Sequence, residues 1–396
     1  MRRRIVSQPL AGIRVADFSH VMAGPFASHL LRLMGAEVIK IEPATGDQFR
    51  NYGADRQYDG MSPAFIAANI GKKSIALNLK DPEEQEIARQ IVANSDVVIE
   101  NFRPGVIARL GFGYEEVKGS NPGIVYCSVS GYGQNSPYRD WPAIDNIVQA
   151  TSGMMMLSGA EGDPPIRIGF PIVDTLTGQT AAFAILAALL QRERTGEGAF
   201  IDVSMLDASL AFMTSAVTPF LVTGRRLKRL GNTGYSGLPT AALFKTRDGR
   251  HVSLGVVQEN QFVSLARHVG REEWLQDVRF ATPDARRANF DAMFAELETI
   301  FATRDADEWE AELSRAGIPC GKIRHVSEAT DLCGKDAILD IDQADWPGAP
   351  GVSVPNAGFR MEPGSPGTTE APPRLDENRE EILQWLASLD PDRKAS

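Results

Sequence analysis

Two aspartates dominate the chemistry open to this sequence. Asp174 stands just before the Ala/Leu-rich run Thr175 to Arg194, where a helix is expected to begin. That position matches an ordinary N-cap, whose carboxylate accepts hydrogen bonds from the unpaired amides of the first turn. It equally suits a nucleophile, because the helix end keeps a carboxylate ionised at neutral pH and Gly178 leaves room for a ligand at the first turn. An ionised carboxylate in a water-poor cleft can attack a thioester carbonyl and form a covalent intermediate. The two roles can coexist. Asp145 reads either as a second functional carboxylate or as a turn former. Met154, Met155 and Met156 read either as a pliable wall for a variable acyl group or as core filler.

Other chemistries lack their signatures. No GxGxxG follows the first expected strand, no GxxxxGK[ST] occurs, and GxSxG is absent, so nicotinamide, P-loop and serine-hydrolase readings lose support. The five histidines (His20, His29, His251, His268 and His325) show neither HxxxH spacing nor a nearby cysteine pair, so no metal site is expected. Cys127, Cys320 and Cys333 form no close pair, which fits a reducing cytoplasm better than a disulfide framework. With 51 acidic against 41 basic side chains the formal net charge is −10, the wrong sign for binding nucleic acid or an anionic bilayer. The basic start of the chain is followed by only two apolar residues, unlike a secretory signal, and the apolar stretch Ala181 to Leu190 is about half the ~20 residues a bilayer requires. No export, membrane span or nucleic-acid partner is expected.

These side chains need a scaffold, and the hydrophobic pattern supplies one. Residues 13–19 read as a strand, 26–34 as a helix and 36–41 as a strand, a βαβ unit. Further strands are expected at 74–79, 96–100, 123–129 and 199–205. Helices are expected at 82–93, entered through Asp81 and Pro82, and at 206–221. Such alternation implies an α/β, Rossmann-like domain with a mainly parallel sheet. The expected organisation is a large domain over residues 1–222, a basic linker over 223–239, a smaller α+β domain over 240–330 containing a hairpin about Asp248-Gly249, and a return segment over 331–396 ending in a helix. In open α/β sheets ligands settle outside the carboxyl ends of the strands. His20 to Pro25, Glu42-Pro43 and Asn101-Phe102 all fall on that rim. Singly, each is also an ordinary turn or loop.

Several long segments, in order, resemble family III coenzyme A transferases: Pro9 to Phe18, His20 to Pro25, Leu33 to Glu42, Glu100 to Gly105, Gly169 to Asp174 with Thr177-Gly178, Arg194 to Gly198, and Asp202 to Ala208. The group includes formyl-CoA, carnitine-CoA and succinyl-CoA:dicarboxylate transferases and 2-methylacyl-CoA racemases. The resemblance implies that Asp174 is the nucleophile, attacking an acyl-CoA to give a mixed anhydride and then an aspartyl-CoA thioester. It implies coenzyme contacts at His20, Val21, Leu77, Lys80, Asn101 and Arg109, with Met22 and Asp145 nearer the acyl end. Acyl-CoA and a small carboxylic acid would be the substrates, with no tightly bound cofactor. The resemblance also implies an interlocked homodimer in which linkers embrace the partner, a part that the Arg225 to Arg229 connector could play. Racemases of the group carry a histidine where Ile144 stands, which favours acyl exchange over racemisation or CoA-dependent isomerisation. Met22 replaces a glutamine of formyl-CoA transferases, and no glycine-rich flap is evident at 231–237, so a succinyl-type or branched dicarboxylate pair is preferred to oxalate and formyl groups. A non-catalytic CoA-binding protein would use the same cleft without turnover.

Overall fold

A computed structural model describes residues 8–53, 58–342, 346 and 351–389, which form two compact units. The first comprises the described residues within 1–154, 167–224 and 334–396; the second comprises 155–166 and 225–333. The excursion over 155–166 places most of the Met154 to Met156 run outside the first unit, and only Met154 is buried there.

The first unit is built on six parallel strands: β1 (Arg14–Asp17), β2 (Glu37–Glu42), β3 (Lys73–Ala76), β4 (Val97–Glu100), β5 (Val125–Ser130) and β6 (Ala199–Ser204). Their order is β3-β2-β1-β4-β5-β6, with every neighbouring pair parallel. The chain therefore winds outward in both directions from the β1/β4 boundary, the doubly wound arrangement. Alternate side chains feed two cores, because a pleated strand points successive residues to opposite faces. Val15, Ile99, Val125 and Cys127 pack with α1 (Ala23–Leu33) on one face, while Ala16, Val98 and Tyr126 pack with α2 (Pro82–Ala93) and the C-terminal helix on the other. The α2 start is as expected, with the Asp81 side chain accepting from the amides of Glu83 and Glu84.

Three further helices matter for the site: α3 (Asp145–Thr151), α4 (Ile172–Thr195) and α5 (Met205–Phe212). The helix expected over 206–221 is in fact two, α5 and α6 (Thr214–Thr223), bent by 82° at Met213. Helix α4 is long and apolar enough to cross a bilayer by length and composition, which the shorter Ala181 to Leu190 stretch did not suggest. Ala181, Ala182, Ile185, Ala188 and Leu189 of this helix belong to the core cluster under α1.

The second unit holds a three-stranded antiparallel sheet, β7 (Leu243–Lys245), β8 (His251–Leu254) and β9 (Cys320–Lys322), over an aromatic core that includes Phe262, Trp274, Phe301 and Trp309. Arg229, at the end of the Arg225 to Arg229 connector, is buried in its own unit. Its guanidinium donates to the carbonyls of Ser158, Asp163 and Pro164.

Candidate active site

The crevice outside the β1/β4 boundary is closed by two residues that recognise each other. The Asn101 side chain accepts from the His20 amide at 2.8 Å and donates to the His20 carbonyl at 2.8 Å. His20 also packs edge-on against Phe102, with ring centroids 5.1 Å apart. Burial, with the Lys40 charge adding to it, holds the His20 imidazole below its ordinary pKa, so it faces the crevice neutral.

Val21, the next residue, has φ of 66°. Left-handed backbone is a genuine outlier for a β-branched residue and persists only where neighbours over-determine it. Here the Val21 amide donates to both carboxylate oxygens of Asp47 at 3.2 Å, and Asp47 is held by the fully buried Lys40 ammonium at 3.0 Å. Lys40 also donates to the Ser19 carbonyl at 2.8 Å. Burial alone would discharge Lys40, but Asp47, Asp17 and Glu42 outweigh it and raise its pKa. The rigid turn from His20 to Met22 therefore rests on a buried ionic floor.

Asp174 approaches this turn from α4. It is the third residue of the helix rather than its cap, since Pro171 holds the cap position and offers no side-chain acceptor. The expected capping role belongs to Asp145, whose Oδ2 accepts from the amides of Val173 at 2.7 Å and Asp174 at 3.2 Å, while Oδ1 accepts from Gln149. The helix end therefore does not simply keep Asp174 ionised. Burial, reinforced by the Asp145 charge, pushes its carboxyl up to about 7. Gly178 also differs from expectation. A Cβ there would stand 2.7 Å from the Ala23 carbonyl oxygen, so the missing side chain lets α1 cross α4 closely rather than admitting a ligand.

A cavity of about 350 Å³ brings together His20, Val21, Met22, Asn101, Asp145 and Asp174. Arg103, Arg139, Trp141 and Met205 also line it, none of them assigned a role from sequence. Arg103 had a signal, since it lies inside the Glu100 to Gly105 segment; Arg139 had none. A second cavity, about 460 Å³, shares Val21, Gln48, Ile144, Asp145 and Asp174 with the first and continues to Tyr52, Phe170 and Arg167. A third, about 360 Å³ and mostly apolar, gathers Leu77 and Lys80 with His20, Phe102 and Leu110. His20 and Phe102 belong to both the first and the third. Arg109 is the exposed last residue of a short helix and lines none of these cavities.

Residues 10–379 match CoA-transferase family III. The chain is 39% identical over 383 residues to acetyl-CoA:oxalate CoA-transferase of Acetobacter aceti, covering 96% of each chain. It is 34% identical to succinyl-CoA:glutarate CoA-transferase of Mus musculus, covering 97% of this chain and 87% of the relative. Its fold is similar to the crystal structure of a CAIB/BAIF family protein from Brucella suis, with a TM-score of 0.85 and 31% identity, covering 96% of this chain and all of that one.

Proposed function

The chain belongs to CoA-transferase family III and is an enzyme of CoA transfer, and we propose that it moves CoA from an acyl-CoA to a small dicarboxylic acid through covalent intermediates on Asp174. The observation that carries this reading is the place of Asp174, a carboxylate shared by two cavities at the carboxyl edge of the sheet.

One Asp174 oxygen attacks the thioester carbon; the C–S bond breaks, CoA leaves as thiolate, and a mixed anhydride forms. The thiolate then attacks the aspartyl carbonyl, releasing the first acid as carboxylate and leaving an aspartyl-CoA thioester. The acceptor carboxylate attacks that carbonyl and expels the thiolate, giving a new anhydride. Finally the thiolate attacks the acceptor's acyl carbon and frees Asp174. No proton or electron is gained or lost over the cycle. The raised pKa of Asp174 marks a poorly hydrated carboxylate, which attacks carbon more readily than a solvated one.

In this reading the coenzyme's nucleotide end lies against Leu77 and Lys80, and its thiol end runs past His20, Val21 and Asn101 toward Asp174. Lys80, and Arg109 from outside the cavities, serve the phosphates, with Arg103 and Arg139 added to them. Binding energy from this remote part of the substrate positions the thioester. Met22 and Asp145 border the acyl group, Asp145 acting through the helix end it caps. Ile144 lines both cavities at Asp174, and a side chain without a titratable group supports exchange over α-proton abstraction. The oxalate and glutarate relatives both carry small diacids in their names. The first of them weakens the preference for succinyl-type over oxalate-type acids.

The enzyme acts as a homodimer in this proposal, because Phe183, Leu221 and Val222 of the first unit are 73%, 73% and 77% exposed, an apolar cost that a second copy would remove. A reducing cytoplasm suits its three free cysteines.

Incubation with succinyl-CoA, trapping by hydroxylamine or borohydride and peptide mapping tests the mechanism. A modified Asp174 and loss of transfer in Asp174→Ala are expected. Solvent deuterium entering the α-position without any acceptor acid would point to isomerisation instead, and binding with neither outcome to a non-catalytic CoA-binding protein.

A further inference from the structure

We propose that Arg167 holds the far carboxylate of the dicarboxylic acid and so selects diacids over monoacids. The inference rests on the exchange reaction proposed above and identifies how its acid is recognised.

The second cavity has the composition such a subsite needs. Beyond the residues it shares with the first cavity, its wall is largely apolar or aromatic, with Phe49, Tyr52, Phe170 and Pro171. Arg167 is the one basic side chain among its described lining residues. Among the described residues its guanidinium has no carboxylate partner. The neighbouring carboxylate, Asp145, accepts instead from Gln149 and the first amides of α4.

Electrostatics makes a cation necessary here. A dianion entering this cavity meets Asp145 and, when ionised, Asp174, so like charges oppose its approach. One carboxylate must nonetheless reach the Asp174 carbonyl to react. A guanidinium at the remote carboxylate offsets the repulsion and fixes orientation through two parallel hydrogen bonds, which an ammonium cannot reproduce in full. A monoacid of the same length would meet the apolar wall but gain nothing from Arg167. The residue lies seven positions before Asp174, on the segment that leads into α4, so the anchor and the nucleophile are carried by one stretch of chain.

The test compares wild type with Arg167→Gln and Arg167→Lys by calorimetric titration with glutarate and with valerate, alongside transfer from succinyl-CoA to each. Arg167→Gln should weaken glutarate binding and raise its KM by roughly 10- to 100-fold, and lower the glutarate-to-valerate selectivity ratio by a similar factor. Arg167→Lys should recover part of that loss. Unchanged glutarate binding in Arg167→Gln, equal losses for both acids, or no preference of the wild type for glutarate over valerate would overturn the assignment. Calorimetry reads acid binding whether or not turnover occurs. Missing Asp174 adducts in wild type would therefore count against the reaction, while the titrations still decide the role of Arg167.

Discussion

Asp145 Oδ2 accepts the backbone amides of Val173 at 2.7 Å and Asp174 at 3.2 Å, so the carboxylate nearest the proposed nucleophile occupies the positive end of the helix that carries it. The helix end is thereby neutralised by Asp145, and Asp174 is left with burial and a like charge. The arrangement keeps Asp174 poised near neutrality.

The pH dependence of turnover follows. In the proposed mechanism only ionised Asp174 attacks, so kcat/KM should rise with pH and level off above about 7. Asp145→Asn keeps an acceptor at the helix end but removes the like charge. Its profile should therefore shift to lower pH, and an inflection that stays put or moves upward would contradict the coupling.

Stability should show the cost of that poise. The folded-state pKa of Asp174 lies above its ordinary value of 3.8, so its contribution is most favourable below about pH 4 and is lost as pH rises through about 7. Asp174→Asn should therefore melt like wild type near pH 4 and higher than wild type above pH 7, by at most roughly 4 kcal/mol. Thermal or urea unfolding across that range checks it.

Beneath the His20 to Met22 turn, Lys40 and Asp47 are both fully buried and 3.0 Å apart. Asp47→Ala removes the ion-pair partner of the buried Lys40, leaving only the more weakly acting Asp17 and Glu42, and releases the Val21 amide. A loss of about 3–5 kcal/mol in urea unfolding is expected. A change below 1 kcal/mol would mean that the ionic floor is not what holds the turn.

At the helix crossing, Gly178→Ala would drive a Cβ into the Ala23 carbonyl at 2.7 Å, which only backbone movement relieves. Lower stability by about 1–3 kcal/mol and slower labelling of Asp174 by acyl-CoA should appear together. Unaltered labelling would show that the crossing does not set the position of the proposed nucleophile.

Much of the frame was legible because it depends on local pattern. Alternating apolar runs marked all six strands of the parallel sheet, usually to within two residues, and Asp81-Pro82 marked the start of α2. The strand ends then placed His20 and Asn101 on one rim without any contact being known. The 82° bend at Met213 was not legible, since neither glycine nor proline marks it. The role of Gly178 was misread because nothing nearby in sequence announces that α1 crosses there.

Residue order by itself determined a doubly wound α/β frame, the family, and Asp174 as the side chain to watch, because periodicity and long motifs are properties of neighbouring residues. Tertiary structure decided what surrounds that side chain. Asp145 caps α4 from 29 positions away. Asp47 pins Val21 from 26 positions away. Arg167 and Tyr52 are brought to one cavity from distant parts of the chain. Charge, burial and strain at a site depend on distances through space, and those exist only once the chain has folded.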